Sequence, residues 1–395
     1  MTRLSVDWEE SINWKALRTY RIKKLTKYMK SRGMDALMVT KLDAIRYITS
    51  FRPVYSWLFH GNRYVVILKS DGHIKFLVAS GDYDRAKEGM PWIDDVEPFP
   101  FLMIEGVANI VSSLKVLGLD EACIGLDLIQ FNVYERLIKE LPKVHFVDGL
   151  NATYFAQAVK SPEEITLLRQ AAEVVDAGMI GALNAIHEGI TEYKIAQASI
   201  SAIMSKGVED ITYIPLVGSG ENIWLGYRFP TDKIIHRGDM VYIDCGCAVV
   251  NGYHGDIARI AMVGDPTAEQ RKAYQAIYKM LQTGISMLHP GILIQDIVEA
   301  VDEVAQQSGY GKYAYFGILG HGIGTDLHTA PTIGEKAIKN IQRELDTIEE
   351  NMLVALEPGL LIPDIGGGHL EDMVLVTKKG PETLTKTKFN LEMLK

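Results

Sequence analysis

The sequence predicts a mixed α/β chain of two domains, an α/β domain over residues 1–158 and an α+β domain over residues 159–395. Three observations predict it. The 395 residues exceed what one hydrophobic core ordinarily organises. An alternation of helical and strand-like runs fills the first 150 residues or so. A strong helix-start signature at Ser161 then opens a new stretch of chain.

Residues 15–33 place apolar side chains at helical spacing and stop at Gly33, and the DALMVT that follows predicts a buried strand. RYVVILK (63–69), IKFLVAS (74–80), IGLDL (124–128) and VHFVD (144–148) predict further strands, with helices near 106–118 and 131–141. At the boundary, Ser161 is a good N-cap, Pro162 suits the first helical position and Glu164 completes a capping box ahead of a long periodic run. Beyond it the sequence predicts a helix near 191–206, a strand in ITYIPLVG (211–218), a hairpin within 242–260 and two helices near 267–309. From Gly317 onward strands and glycine-rich loops dominate.

Lys plus Arg total 41 against 50 for Asp plus Glu, a formal charge of −9, and no basic stripe is present to neutralise phosphates. Nucleic acid is excluded as an expected partner. The N-terminus has no apolar signal-like core and no segment approaches 18 uninterrupted apolar residues, so the expected location is cytoplasmic, with no membrane association. The three cysteines are too few for a disulfide framework, and Cys245 and Cys247 read as small buried strand residues rather than a zinc pair. His73, His145, His236 and His289 are expected at the surface or at helix ends.

The stretch YIDCGCAVVNGYHGDIARI (242–260) holds two strand-like runs around an Asn-Gly turn, and each run carries an aspartate, Asp244 and Asp256. A carboxylate in a sheet must be desolvated, which costs several kcal/mol unless a cation or dense hydrogen bonding compensates. Further ligand-type residues follow in glycine-rich turns and strands: His321 in GHGIG, Glu357 in LEPG and Glu371 in HLED. Four converging carboxylates repel one another, and two divalent ions bring their formal sum to about zero. Oxygen-rich ligation with a single imidazole suits Mn, Co, Fe or Zn.

DCG...GYHGD, GHGIG...H, LEPG and HLED resemble, in order and rough spacing, the five-ligand pattern of the pita-bread metallopeptidase and creatinase family. ALRTYRIKKLTKYMKSRGMDALMVTKLDAIRYITSF (16–51) is similar to the creatinase-type N-terminal domain of that family, so the resemblance spans the chain. It implies a pita-bread catalytic domain with Asp244, Asp256, His321, Glu357 and Glu371 as ligands of a dinuclear site, Asp244 and Glu371 being bidentate or bridging. It further implies a metal-activated water as nucleophile, and a homodimer in which the neighbour's N-terminal domain helps close the site.

Several positions depart from the peptidase pattern. The aspartates stand twelve apart where eleven is usual, which requires an odd loop or a bulge, most naturally at Gly246. Tyr227 stands where these peptidases carry a substrate-facing histidine; it can donate a hydrogen bond but cannot take up a proton near neutral pH. His328 matches the second active-site histidine, but Thr329 follows where Glu is usual, and His369 occupies a place often held by Arg. Asn222 and Trp224 are similar to residues of the dimethylsulfoniopropionate lyases of the creatinase branch, which however carry an Asp where this chain has Gly246.

The leading expectation is hydrolysis of the Xaa-Pro bond in dipeptides or short peptides. Glu357 would serve as general base, His328 as an oxyanion donor worth about 3–4 kcal/mol when well placed, and Tyr227 as a second donor. The alternatives are a creatinase-branch enzyme acting on a small zwitterion, with Trp57 and Phe59 as a cation-π wall, and a non-catalytic binding scaffold.

Overall fold

The computed structural model describes residues 11–52, 63–225, 228–315, 318–334 and 345–394. They divide into two compact units, one over Asn13–Gln157 and the other from Ala158 onward. The first runs α1 (Trp14–Ser31), β1 (Ala36–Val39), α2 (Leu42–Thr49), β2 (Val65–Lys69), β3 (Ile74–Ala79), α3 (Tyr83–Gly89), β4 (Asp95–Phe99), α4 (Val107–Val116), β5 (Cys123–Leu126), α5 (Phe131–Glu140), β6 (His145–Asp148) and α6 (Leu150–Ala156). Its six strands form one mixed sheet in the order β4-β3-β2-β1-β5-β6. Helices cover both faces. Within β2, Val66 and Leu68 join one core with Leu25, Tyr47 and Phe76, while Val65 and Ile67 join the other with Ile110, Leu114 and Val133. Burial on both faces is why β2 reads as an uninterrupted apolar run.

Helices α2, α3 and α6 and strand β4 were not among the predicted elements. The three helices are seven or eight residues long, too short to establish a helical period. Strand β4 carries Pro98, which a central strand would not tolerate, and it lies at the sheet edge.

In the second unit α7 (Pro162–Ala185) packs on α8 (Glu192–Met204), and α9 (Ala268–Met287) on α10 (Ile294–Ser308). The strands are β7 (Asp210–Ile211), β8 (Leu216–Ser219), β9 (Met240–Asp244), β10 (Ala248–Val250), β11 (Tyr253–His254), β12 (Ala258–Met262), β13 (Ala314–Tyr315), β14 (Gly320–Gly322), β15 (Thr329–Ile333), β16 (Leu353–Leu356), β17 (Gly359–Ile362), β18 (Gly366–His369), β19 (Asp372–Thr377) and β20 (Gly380–Thr383). Two sheets matter most to function, β12-β9-β8 and β15-β14-β16-β19-β20. A bridge between Ala258 and Glu371 joins them, with the Glu371 N–H donating to the Ala258 carbonyl at 3.1 Å.

The strand expected over 211–218 is two strands. Pro215 interrupts the run, and the break between β7 and β8 contains Tyr213. At the start of α7 the capping box forms as its residue types dictate: Ser161 Oγ accepts from the Glu164 N–H, and Glu164 Oε2 accepts from the Ser161 N–H at 2.8 Å. The remaining Glu164 oxygen accepts from the buried Tyr253 hydroxyl at 2.8 Å, tying α7 to β11. Ser161→Ala is expected to lower unfolding free energy by about 1 kcal/mol. Glu164→Ala, which orphans two buried donors, should cost about 2 kcal/mol or more. Denaturant titration of both variants checks the order.

Candidate metal centre

Each predicted ligand sits where a strand ends or is pinned between neighbours. Asp244 ends β9, Asp256 lies two residues ahead of β12, His321 is the middle residue of β14, Glu357 directly follows β16, and Glu371 lies between β18 and β19. All five are at most 7% exposed. The structure brings them to one cavity of about 230 Å³, lined also by Tyr213, Leu216, Ile318, Leu327 and His328. Donor atoms of Asp256, His321 and Glu371 lie within 4.8 Å of one another. Glu357 Oε1 stands 3.6 Å from His321 Nε2, and Asp256 Oδ2 3.8 Å from it.

The twelve-residue spacing is resolved by a register step. In β9 and β12, Asp244 pairs with Ala258, whereas in β10 and β11, Val249 pairs with His254, a register displaced by one residue. The extra residue lies in the Gly246–Cys247 turn opposite Asp256, with Asn251 and Gly252 making the hairpin turn at φ 54° and 83°. A Cβ at Gly246 would overlap the Tyr213 hydroxyl and Asp256 Oδ1. The additional aspartate of the lyases has no room there.

Charge and hydrogen bonding fit cations. Burial, and then the neighbouring carboxylates, push the proton affinities of Asp256 and Glu371 well above the usual carboxylate range. Glu371 Oε1 is buried without a hydrogen-bond partner. His321 Nδ1 lies 3.0 Å from the Gly322 carbonyl, which fixes Nδ1–H as donor and turns Nε2 toward the carboxylates as an acceptor. Burial lowers its pKa to about 3, so the ring is neutral, the form that binds metal. A buried set of carboxylate oxygens with one imidazole acceptor and an orphaned carboxylate oxygen is what divalent ions satisfy.

His328 stacks on His321, ring centroids 3.8 Å apart and 14° from parallel, and burial lowers its pKa as well. Thr329 is buried in β15 opposite Gly322 and does not line the cavity. Asn222 lies in the 3-10 turn Gly220–Leu225. Tyr227, Trp57, Phe59 and the Trp224 side chain lie outside the described residues. Cys245 and Cys247 are fully buried as expected, but they lie in the connection between β9 and β10 and not within a strand; burial pushes the Cys245 thiol up to about 12, as inert cysteines behave. His145, His236 and His289 are exposed and His73 partly so.

Two groups escaped the sequence reading. Tyr213 lines the cavity with its hydroxyl 3.5 Å from Asp244 Oδ1, and the Pro215 that breaks its strand was the available signal. Tyr242, an ordinary strand residue by sequence, donates to Asp244 Oδ2 at 2.9 Å. His369, whose ring burial holds at a pKa of about 4, places Nε2 3.6–3.8 Å from oxygens of Asp244, Glu357 and Glu371.

Gly246→Ala is expected to weaken divalent-ion binding about 5- to 150-fold, the overlap costing about 1–3 kcal/mol; a Mn or Co titration reads it. Chelation should lower the melting temperature, and the loss has a definite pH sign. Without cations, the raised proton affinities of Asp256 and Glu371 mean that the folded state holds protons which the unfolded chain releases. Their contribution is intact at mildly acidic pH and falls away as pH climbs through the raised values, so the chelated protein should be less stable at pH 8 than at pH 6. A thermal melt series in chelator, with and without added ion, checks the sign.

Residues 166–378 match metallopeptidase family M24, and residues 21–154 match the creatinase/prolidase N-terminal domain. Among curated relatives, an Xaa-Pro dipeptidase of Pyrococcus furiosus is 28% identical over 372 residues, covering 94% of this chain and 99% of that protein. An Xaa-Pro dipeptidase of Lactobacillus helveticus is 26% identical, covering 94% and 98%. The crystal structure of the prolidase from Pyrococcus horikoshii superposes with a TM-score of 0.79 at 27% identity, covering 94% of this chain and 99% of that one. A recombinant prolidase from Thermococcus sibiricus, at 23% identity, shares the fold with a TM-score of 0.82 and covers 94% and 97%. A creatinase-type N-terminal domain precedes a catalytic domain of pita-bread fold, and the chain belongs to metallopeptidase family M24.

Proposed function

We propose that this protein is a metal-dependent exopeptidase that hydrolyses the Xaa-Pro bond of dipeptides or short peptides, with Asp244, Asp256, His321, Glu357 and Glu371 holding two divalent ions. The convergence of these five buried groups on one cavity carries the reading. The dipeptidase relatives, which match this chain nearly end to end, support the substrate class. Manganese, cobalt, iron or zinc suits the donor set. The reading includes a cytoplasmic homodimer, a domain boundary between residues 158 and 159, and a neighbouring N-terminal domain that helps close the site. No observation favours a small zwitterion as substrate, and the crowding at Gly246 argues against a lyase.

When bound, such ions supply Lewis-acid polarisation of the scissile carbonyl and lower the pKa of a water. The chain's own groups do the rest. Glu357 takes the water's proton and passes it to the leaving proline nitrogen, worth about 10²–10⁴ in rate. His328, held neutral, donates its one N–H to the developing oxyanion, with Tyr227 as a second donor. Leu216, Ile318 and Leu327 give the cavity an apolar wall against which a pyrrolidine ring packs and displaces water.

Incubation of the Mn- or Co-loaded protein with Ala-Pro or Leu-Pro should release free proline. A protein that holds two ions yet leaves both dipeptides intact would sink the substrate assignment. Glu357→Gln is expected to lower kcat about a thousandfold and to weaken ion binding; steady-state kinetics beside metal analysis measure both. His328→Ala should cost about 100-fold in kcat with the ion content unchanged.

A further inference from the structure

His369 is buried against the carboxylate cluster but has no part in the chemistry above. Chain alternation puts it there: along His369, Leu370 and Glu371 the two polar side chains turn to the cluster, and the fully buried Leu370 turns away. Two glycines clear the space. Gly359 lies opposite His369 in the β17–β18 hairpin, and a Cβ there would come within 2.9 Å of the His369 Cβ; one at Gly368 would overlap the Tyr242 ring. The Tyr242 hydroxyl, 3.0 Å from Nε2 and 3.3 Å from Nδ1, lies over the face of the imidazole and so takes up neither nitrogen's in-plane direction. His369 does not line the cavity, so substrate does not reach it, and whatever it does is done through the carboxylates or an ion they hold.

Its distances repeat those of His321. His321 Nε2 stands 3.6 Å from Glu357 Oε1 and 3.8 Å from Asp256 Oδ2. His369 Nε2 stands 3.6 Å from the other Glu357 oxygen, Oε2, 3.7 Å from Asp244 Oδ2 and 3.8 Å from Glu371 Oε2. All five separations are too long for hydrogen bonds. They come close to the spacing of neighbouring donors around one ion, since bonds of about 2.0–2.2 Å at tetrahedral angles set donor atoms about 3.3–3.6 Å apart. Glu357 thus lies between two imidazoles, one near each of its oxygens.

We propose that His369 is a sixth ligand of the metal centre, so that each ion carries one imidazole: His321 with Asp256 and Glu357 Oε1, and His369 with Asp244, Glu371 and Glu357 Oε2. This rests on the metal-hydrolase reading. A coordinating imidazole is neutral, so four carboxylates and two divalent ions still sum to no net charge, whereas an arginine at this place adds one positive charge. An imidazole on both ions also moves the preference of the centre away from manganese, which suits oxygen donors, toward cobalt, iron or zinc.

The test titrates the metal-stripped full-length protein with Co(II) by calorimetry and counts imidazoles in the loaded protein by X-ray absorption. Wild type should bind two ions with about one imidazole per cobalt, and His369→Ala should lose about half of that imidazole signal. In the variant one ion should weaken about 100-fold or more, at or above the upper end of what losing a group that merely orients a ligand costs, while the other ion changes far less. The preference of the weakened ion for cobalt over manganese should fall with it. His369→Arg carries the residue often found at this place, cannot coordinate, and should lose the same imidazole signal, which keeps the test open if the alanine variant misfolds. The wild-type spectrum needs no variant: two bound ions sharing a single imidazole would overturn the proposal and leave the hydrolase reading intact. An imidazole count unchanged in His369→Ala or His369→Arg would do the same. A wild type that binds one cobalt ion or none would overturn the proposal together with the two-ion reading.

Discussion

The mutual repulsion of four buried carboxylates is the constraint around which the catalytic unit is organised. Asp244, Asp256, Glu357 and Glu371 share one small cavity, and among the described residues no Lys or Arg lines it. Left alone, such a set has to take up protons or come apart, because each charge loses its hydration and meets like charges nearby. The fold tolerates it by rigid support: each carboxylate sits at the margin of a strand whose hydrogen bonds are made elsewhere, and the Ala258–Glu371 bridge locks two sheets together at the cluster. The scaffold is thus prepared for cations in advance of their arrival, which keeps the reorganisation needed for binding small.

The supporting groups are chosen with the same economy. His321 spends Nδ1 on a backbone carbonyl so that only Nε2 faces the acids. Asp244 receives the Tyr242 hydroxyl on one oxygen and the Gly246 N–H, at 3.1 Å, on the other. Behind the site Arg259 is saturated, donating to Asp372 and to the carbonyls of Ala258, Glu371 and Thr387, so its charge stabilises the frame and is not offered to the cavity.

Much of this was legible in the sequence because the relevant residues violate local expectation. An aspartate in a strand of Val, Ile and Tyr, or a glutamate directly after LVAL, is costly without a purpose, and so such positions announce themselves. The twelve-residue interval likewise pointed to a bulge near Gly246, and the register step lies there. What stayed hidden has a physical reason. Tyr213 and Tyr242 are good strand residues, so nothing about their type marks them. The room for the Tyr242 ring depends on Gly368 of β18, more than a hundred residues further on, where a side chain would overlap it. The short helices of the first unit are fixed by packing against the sheet, which periodicity in a seven-residue window cannot reveal.

The hairpin that follows the bulge also reaches the loop bearing His328: the His254 N–H donates to the Gly324 carbonyl at 3.0 Å, and the Gly324 N–H to the Asp326 carbonyl at 3.0 Å. Asp256, two residues beyond His254, and His328, four beyond Gly324, are therefore fastened to one another through main chain alone. Solvent deuterium can reach the His254 amide only when that fastening opens, so its exchange rate is a direct clock for how often Asp256 and His328 part company.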